Sequence, residues 1–506
     1  MEQHGVMNPV TNPATNSAAN PAVNPDILAK LFPDGLRGKR IHVVGAGGSG
    51  VSSVLLLARE RGAQVTGCDV AETTMTRLLE QQGIPIQRGH DVSHIQDVDL
   101  VVTNPAVTYL HPDHPELQAA RARDIPVTHW QPLLGYLMRQ TPGVAIAGVH
   151  GKGSTGALIG TLAIAGGLDP TVELGAVLRE WKGNVRMGHG ALFINEADEW
   201  NYNFLNYHPR MVTLTAVEYD HPEFFPSYEV IRDAFVQFVR GMDMTERPDA
   251  PFGPTIVYNE DIPGCRDVIA RVSDLPIACR SFSLERPDAL AGAADVRADT
   301  ETSFTLLLRG EPQGRVMLTT PGAHNIANAV AAAATADALG IAPDVIVRGL
   351  CAFPGLRRRF EIIEDGDVTF VDDYAHHPHA VALTVATARR RFPGRRLIAV
   401  FQPTLFTRLH RFLEPFAAAF DEADAAVVVE IQPSRERDTG LIHGNDLVKA
   451  IAARPAWQGR ASSIHYGGDF DETAGLLRDL RQPGDVYLIM GSGPVNRVIA
   501  PARLHG

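Results

Sequence analysis

Lys152 stands inside a glycine-rich turn, Gly148-Val149-His150-Gly151-Lys152-Gly153-Ser154-Thr155, that follows the apolar run Ala145-Ile146-Ala147. The residue types read as a buried strand, a tight turn and the first turn of a helix. Backbone N–H groups of such a turn converge on a phosphate, and the positive end of the helix dipole adds to the attraction. A lysine there neutralises the outer phosphates, and a hydroxyl on the first helical turn, Ser154 or Thr155, suits Mg²⁺. The strict spacing G-x-x-x-x-G-K-[ST] is not met, because position 146 is Ile and Gly153 follows the lysine. Ser154 and Thr155 also suit capping of the helix. On this segment alone a plain glycine turn stays open.

Other groups with chemistry flank this turn. Gly45-Ala46-Gly47-Gly48-Ser49-Gly50 follows the apolar run from Ile41 to Val44, and Asp69 ends the next strand-like run. Strand, glycine turn, helix, strand and acid is a dinucleotide-type layout: the turn accepts a diphosphate and the acid accepts hydrogen bonds from a ribose or base. A nicotinamide oxidoreductase is one reading of it. Glu196-Ala197-Asp198-Glu199 and Glu218-Tyr219-Asp220-His221 each follow an apolar run, at the edge of an α/β sheet where ligands bind. Carboxylates there suit a hard cation such as Mg²⁺. Gly322-Ala323-His324-Asn325 leads into an alanine-rich helix past Asn328, and Asp372-Asp373-Tyr374 ends a strand before His376-His377-Pro378.

The elements that must position these groups are those of an α/β protein. Apolar strands are predicted over 40–45, 63–69, 98–103, 192–196, 210–216, 368–374, 397–401, 425–430 and 486–490, with helices such as 51–61 and 329–339 between them. The 506 residues have room for about three domains of ~150 residues. A net charge of -12 argues against general nucleic-acid binding, though not against a local phosphate site. Lysine is confined to Lys30, Lys39, Lys152, Lys182 and Lys449. Cys68, Cys265, Cys279 and Cys351 are widely spaced with no C-x-x-C, which suggests neither a disulfide framework nor a zinc cluster. No apolar run approaches the ~18 residues of a membrane span, and the first residues lack the basic start and apolar core of a signal peptide. A cytoplasmic protein without membrane insertion is expected. The repeated Asn-Pro pairs predict a disordered tail over 1–37.

Six motifs, in order and spacing, resemble the Mur ligase family: cytoplasmic, ATP-dependent enzymes that form amide bonds in peptidoglycan precursor synthesis. They are the Lys152 turn, Glu196 to Glu199, Asp220-His221, Gly322 to Asn328, Phe353 to Glu361, and Asp372 to Pro378. The resemblance runs from Lys39 onward. It implies three α/β domains: an N-terminal Rossmann-like domain for the UDP substrate over 38–141, a central P-loop ATPase-like domain over 142–353, and a C-terminal Rossmann-like domain for the amino acid over 354–506. The motifs, with Phe401-Gln402-Pro403 and Ser434 to Gly440 among them, look most like the branch that joins L-alanine to UDP-N-acetylmuramate. The branch that attaches a murein tripeptide to the same sugar nucleotide is the alternative, and Phe224 and Phe225 lean towards it. The Gly-Lys-Gly-Ser-Thr form of the phosphate turn looks more like folylpolyglutamate synthases.

The resemblance also implies roles. Lys152 would neutralise the β- and γ-phosphates of ATP, with Gly148, His150, Gly151, Gly153, Ser154 and Thr155 around them. Ser154 or Thr155 and Glu196 would hold a first Mg²⁺ with Glu199 in support, and His221 a second. His324 and Asn325 would contact the adenine, with Asn328 supporting their loop. Arg359 and Asp373 would reach the phosphates across a hinge near 353–358. Gly45, Gly47, Gly48, Gly50 and Asp69 would hold the UDP moiety, and Tyr374, His376 and Arg408 the amino acid. No lysine lies between Lys182 and Lys449, so the carbamylated lysine of some relatives is not expected. The amine pocket departs from the pattern. The alanine-adding branch reads His-Arg-Tyr-Thr-Arg after Phe-Gln-Pro, and this chain reads Thr404-Leu405-Phe406-Thr407-Arg408. Ala216 stands where Asn is common, and Trp200-Asn201 replaces Ser-Asp. The amine is therefore L-alanine, a related amino acid or a short peptide. A Mur-like binding protein without turnover is a further reading.

Overall fold

The computed structural model describes Asn24 to Arg503, except Arg179, Glu180, Lys182, Pro222, Glu223, Asp249, Pro287, Thr300 and Arg435. The fold is α/β with mostly parallel sheets. The chain makes two compact units. One runs to Gly292 and takes in Leu306–Gly314 and Asn328–Gly349; the other holds Ala293–Thr305, Arg315–Ala327 and the chain from Leu350 onward.

The first unit contains a parallel sheet of β1 (Arg40–Val44), β2 (Gln64–Asp69), β3 (Ile86–Arg88), β4 (Leu100–Thr103) and β5 (Val127–His129), in the order β3-β2-β1-β4-β5. Its helices include α1 (Pro25–Leu31), α2 (Ser49–Glu60), α3 (Pro115–Ala122) and α4 (Trp130–Met138). A second sheet is built from β6 (Gly143–Ala147), β7 (Thr171–Leu178), β8 (Gly183–Arg186), β9 (Phe193–Ala197), β10 (Met211–Leu214), β11 (Thr255–Asn259) and β12 (Ala278–Ser283). These run in the order β12-β11-β10-β6-β9-β7-β8, and β8 is antiparallel to β7. Helix α5 (Lys152–Ala165) leaves β6. Every residue of β6 and β10 is buried, which is why these strands read as continuous apolar runs rather than alternating ones.

The two sheets of this unit share one core. It runs from Leu28 and Phe32 through Leu133 and Leu137 to Phe204 and Phe235. Helix α4 is buried from Gln131 to Met138 and packs on α1 and α2. The amide of Asn184 on β8 donates to Ser53 Oγ on α2 at 2.6 Å.

Strands β13 (Ala291–Ala298), β14 (Thr302–Leu308) and β15 (Glu311–Leu318), and helix α6 (Ala323–Ala338), lie where the chain passes between the units. In the second unit β16 (Glu361–Asp365), β17 (Val368–Asp373), β18 (Leu397–Phe401), β19 (Ala425–Val429), β20 (Ile464–Gly468) and β21 (Val486–Met490) form a sheet of order β16-β17-β21-β18-β19-β20. Helix α7 (Phe406–Arg411) follows β18. Leu397, Ala399 and Phe401 of β18 enter one core and Ile398 and Val400 the other, as the two-residue period of a strand dictates.

The tail expectation needs correction. Residues 1–23 of that stretch lie outside the described residues, but the remainder is ordered. The Asn24 side chain accepts from the Ile27 N–H at 2.9 Å, and Pro25 opens α1. Leu28, Phe32 and Leu36 are buried, and the Tyr136 hydroxyl donates to the Phe32 carbonyl at 2.7 Å. Asn-Pro at this point is a helix start, a capping residue followed by a proline whose missing N–H costs nothing at the first position. Among the described residues no helix is long and apolar enough to cross a membrane.

Candidate active site

The Lys152 turn forms as its residue types predict. Strand β6 ends at Ala147, Gly148 takes φ 137°, and Gly151 takes the left-handed φ 79° as the residue before α5. Both glycines are required by space as well as by φ. A Cβ on Gly148 would meet Thr215 Oγ1 at 2.3 Å, and one on Gly151 would meet Asn328 Oδ1 at 2.4 Å. The chain after β10 pins the turn: Val149 N–H donates to the Ala216 carbonyl at 3.0 Å, and the Thr215 hydroxyl donates to the carbonyls of His150 and Ala147.

Lys152 folds back over its own turn. Its ammonium donates to the Gly148 carbonyl and to Glu199 Oε2, each at 2.7 Å. Burial works against this charge, but the carboxylates of Glu199, Asp198 and Glu196 outweigh it and hold the ammonium above its ordinary range. Glu199 is fully enclosed. Burial pushes its carboxyl up, and Lys152 and His221 more than offset this, so it lies below the usual carboxylate range. His221 Nε2 is 3.6 Å from Glu199 Oε1 and 3.8 Å from Asp220 Oδ2. The residue takes φ 54°, and its N–H donates to Asp220 Oδ1. Glu196, on β9, accepts from the Gly175 N–H at 2.8 Å. Three sequence candidates, Lys152, Glu199 and His221, are thus brought into one cluster with Glu199 at its centre. His150 stands beside them, its Nε2 3.4 Å from Glu218 Oε2.

The two hydroxyls on the first turn of α5 are not equivalent. Thr155 is buried and donates to Asn328 Oδ1 at 3.3 Å, whereas Ser154 is partly exposed. Asn328 therefore braces the phosphate turn through Thr155 and its fit over Gly151. Phe224 and Phe225 donate their N–H groups to the His221 carbonyl, and their rings pack edge-on with Tyr202. Phe225 is wholly buried, so this aromatic stretch is a platform under His221.

The Gly45–Gly50 turn occupies another part of the same unit. Gly45 takes φ 79°, and Gly50 lies against the Trp130 ring, where a Cβ would approach to 2.5 Å. Asp69 accepts from Gly47 N–H at 2.8 Å and from Ala71 N–H at 2.9 Å. Its carboxylate is thus already engaged in holding the turn.

The second unit gathers Arg358, Arg359, Asp373 and Tyr374. The guanidinium carbons of Arg359 and Arg358 lie 5.0 and 5.3 Å from the centre of the Tyr374 ring. Asp373 accepts from the N–H groups of Phe360 and Ala375, each at 2.8 Å; burial raises its carboxyl, and Arg359 opposes this. Arg358 was not a sequence candidate. It takes φ 57° and donates to the carbonyls of Gly491 and Gly493 at 2.6 and 2.8 Å, contacts more than 130 residues away that no local pattern signals. Asp372, 3.4 Å from Arg358, is pushed up to about 6 by burial, partly offset by that arginine. His324 keeps solvent access, yet desolvation of its ring and the charges of Arg359, His379 and Arg390 bring it down to about 4. The Asn325 amide donates to the Pro321 carbonyl at 2.8 Å. His376 Nδ1 lies 3.0 Å from the Tyr374 carbonyl, and Arg408 is buried on α7. Leu405 is buried with φ 68°, a left-handed conformation uncommon for leucine.

Parallel-rich α/β sheets with a glycine–lysine turn at the head of a helix are the architecture of phosphate-binding nucleotide enzymes. Comparison with known proteins narrows this class. The profile described as "Mur ligase family, catalytic domain" matches residues 40–141, "Mur ligase middle domain" residues 194–336, and "Mur ligase, glutamate ligase domain" residues 358–493. The chain belongs to the Mur ligase family. It is 35% identical over 457 residues to the UDP-N-acetylmuramate–L-alanine ligase of Oleidesulfovibrio alaskensis, covering 90% of this chain and 96% of the relative. It is 34% identical over 462 residues to the ligase of the same name in Methylococcus capsulatus, covering 90% and 94%. The crystal structure of the UDP-N-acetylmuramate-alanine ligase of Thermotoga maritima superposes with a TM-score of 0.74 at 25% identity, covering 92% of this chain and 98% of that one. A murein peptide ligase from Psychrobacter arcticus shares the fold, with a TM-score of 0.68 at 24% identity over 93% of this chain and 100% of that one.

Proposed function

We propose that this protein is an ATP-dependent ligase that joins L-alanine to UDP-N-acetylmuramate. The observation that carries the reading is the Lys152 turn, with its buried Glu199 partner, in a chain that matches ligases of that name along nearly their whole length. A carboxylate is a poor electrophile. Its oxygen attacks the γ-phosphorus of ATP and ADP leaves; the amine then attacks the acyl carbon, and phosphate and a proton leave. Such phosphoryl transfer needs positioning and charge neutralisation more than covalent help from the protein.

On this reading Lys152 exchanges Glu199 and the Gly148 carbonyl for phosphate oxygens, while Gly148, His150, Gly151 and Gly153 form the cradle. The donors present fit Mg²⁺, a hard ion that takes oxygen ligands. Ser154 and Glu196 would hold it, with His221 near a second ion. Thr155 is the poorer candidate, because its side chain is wholly buried whereas Ser154 keeps solvent access. The ion would supply charge neutralisation at the phosphates. His324 and Asn325 are assigned to the adenine, Arg359 and Asp373 to the phosphates, Gly45 to Gly50 with Asp69 to the UDP moiety, and Tyr374, His376 and Arg408 to the amino acid. The domain division at 38–141, 142–353 and 354–506 and the hinge near 353–358 belong to the same proposal, as does a cytoplasmic location.

The test is phosphate release from ATP with Mg²⁺ and UDP-N-acetylmuramate, screened over single amino acids and the murein tripeptide. L-Alanine is expected to stimulate release, and Lys152→Ala to lower it by about 10²–10³-fold. Stimulation by the tripeptide alone would replace the amine in this reading. Tight binding of the sugar nucleotide with no release for any amine would make the chain a non-catalytic binding protein.

A further inference from the structure

Four side chains from four separate elements of the first unit converge on one buried point. His42 comes from β1, Cys68 from β2, His94 from the short helical turn Val92–Ile95, and Glu116 from α3; one donor atom of each lies within 4.8 Å of all the others. In the parallel register Cys68 stands opposite Val44, so it shares a face with His42, two residues back along β1. That face is covered by Leu117 and Ala120 of α3 and by Ile95. His42, Cys68 and Glu116 are fully buried, and His94 is nearly so. The widely spaced cysteines suggested no zinc cluster, because these ligands share no local spacing; only the sheet register assembles them.

The four donors crowd closely enough to share one small cation. Cys68 Sγ is 3.1 Å from Glu116 Oε2, His42 Nε2 is 3.5 Å from the same oxygen, and His94 Nδ1 is 2.9 Å from Glu116 Oε1. Tetrahedral zinc with ligands at ~2.0–2.3 Å has ligand–ligand edges of about 3.3–3.7 Å; the His42 contact has that length, and the Cys68 and His94 contacts, now hydrogen bonds to Glu116, would open by a few tenths of an ångström as zinc replaces their protons. His42 Nε2 is wholly buried, faces this point and has only the distant Glu116 carboxylate, at 3.5 Å, as a neighbour to pair with. Its other nitrogen, Nδ1, is held at 2.8 Å by the Thr66 hydroxyl, the outer-shell bond that fixes a ligating imidazole. Glu116 is oriented in the same way by the Asp91 N–H at 2.9 Å. His90 Nδ1 is 3.2 Å from Cys68 Sγ, and the partly exposed His90 and His94 give a way in. Charge also balances: one thiolate, one carboxylate and two neutral imidazoles compensate a dication, which a buried site demands.

We propose that His42, Cys68, His94 and Glu116 form a zinc-binding site. The mixed nitrogen, sulfur and oxygen donors select a borderline-soft ion over Mg²⁺ or Ca²⁺. The site adjoins the first glycine turn, since the Cys68 carbonyl accepts the N–H groups of Gly45 and Ala46, each at 3.0 Å. Zinc there ties β1, β2 and α3 together beneath that turn. This inference stands independently of the ligase reading.

The test strips the full chain with a chelator and titrates it with Co²⁺ and then Zn²⁺, in a Cys279→Ser, Cys351→Ser background that removes the exposed thiols. One equivalent of Co²⁺ is expected to give a thiolate-to-cobalt charge-transfer band that one equivalent of Zn²⁺ abolishes. Cys68→Ser should lose the band, and His42→Gln should weaken zinc binding by about 100-fold or more. No thiolate band in the Cys68-containing background protein would overturn the proposal, whatever the variants do. A band that survives Cys68→Ser would overturn it as well.

Discussion

Glu199 receives two neighbours at once, the Lys152 ammonium at 2.7 Å and the His221 ring at 3.6 Å, and none of the three is free to wander. A buried lysine without such a partner would lose its proton; here the carboxylates keep it charged and the helix holds it over the turn. The phosphate group proposed for this site would meet a cation already in position. The residue that departs most from the strict motif is Gly153, which puts the duty of a metal-binding hydroxyl on its neighbours. Their burial separates them. Ser154→Ala is expected to raise the Mg²⁺ concentration needed for phosphate release by about tenfold or more. Thr155→Ala should leave that requirement within about twofold and cost about 1 kcal/mol of stability, because its hydroxyl donates to Asn328. Mg²⁺ titrations and melting curves of the two variants decide it. A metal requirement shifted by Thr155→Ala and not by Ser154→Ala would reverse the assignment.

At the scale of the element, β6, the turn and α5 act as one piece only because a distant segment closes over them. Gly151 must take φ 79°, and Asn328 fills the space that any side chain there would need. Gly151→Ala is expected to destabilise the protein by about 1–3 kcal/mol and to abolish phosphate release. Asn328→Ala in the same chain should return part of the stability, since it relieves the collision but not the left-handed backbone. A double-mutant cycle measures this, and strict additivity would show that the two residues do not meet. The same turn shows what was legible in the sequence. Strand, glycine turn and helix are local, with short-range periodicities, so β1–α2–β2 and β6–α5 were readable from residue types alone. The ends of β9 and β17 were readable too, because acids there close apolar runs. Asn328 over Gly151, Arg358 on Gly491, and the histidines around Cys68 were not, since each is set by packing between segments far apart in sequence. The helix at Pro25 was misread for a different reason: Asn-Pro looks the same as a cap and as low-complexity sequence until Leu28 and Phe32 find a core.

At the scale of the whole molecule, the first two sheets behave as one unit because α1, α2 and α4 put apolar residues into a core common to both. A chain that starts at residue 37 loses Leu28, Phe32 and Leu36 from that core and the bond from Tyr136, and should be less stable by several kcal/mol, about 2–5 for each large side chain fully lost. A chain that starts at Asn24 keeps them; equal melting temperatures for the two would refute the shared core. Glu173 gives this unit a pH dependence. It lies on β7, where burial and then the charge of Glu196 push its carboxyl up to about 8, against a hydrogen bond from Ser53. Because the folded pKa is raised above the unfolded value, the folded state binds the extra proton between about pH 4.5 and 8. Its stabilising contribution is full below that window and is lost as the pH rises through it, by at most about 1.4 kcal/mol per pH unit. Glu173→Gln keeps the shape of the neutral acid and cannot ionise. The variant should therefore gain on the wild type in melting temperature from pH 5 to about pH 8, level off above that, and match it most closely at the acid end. A constant difference across that range would mean that Glu173 is already ionised in the folded protein, and that the charge of Glu196 is screened from it.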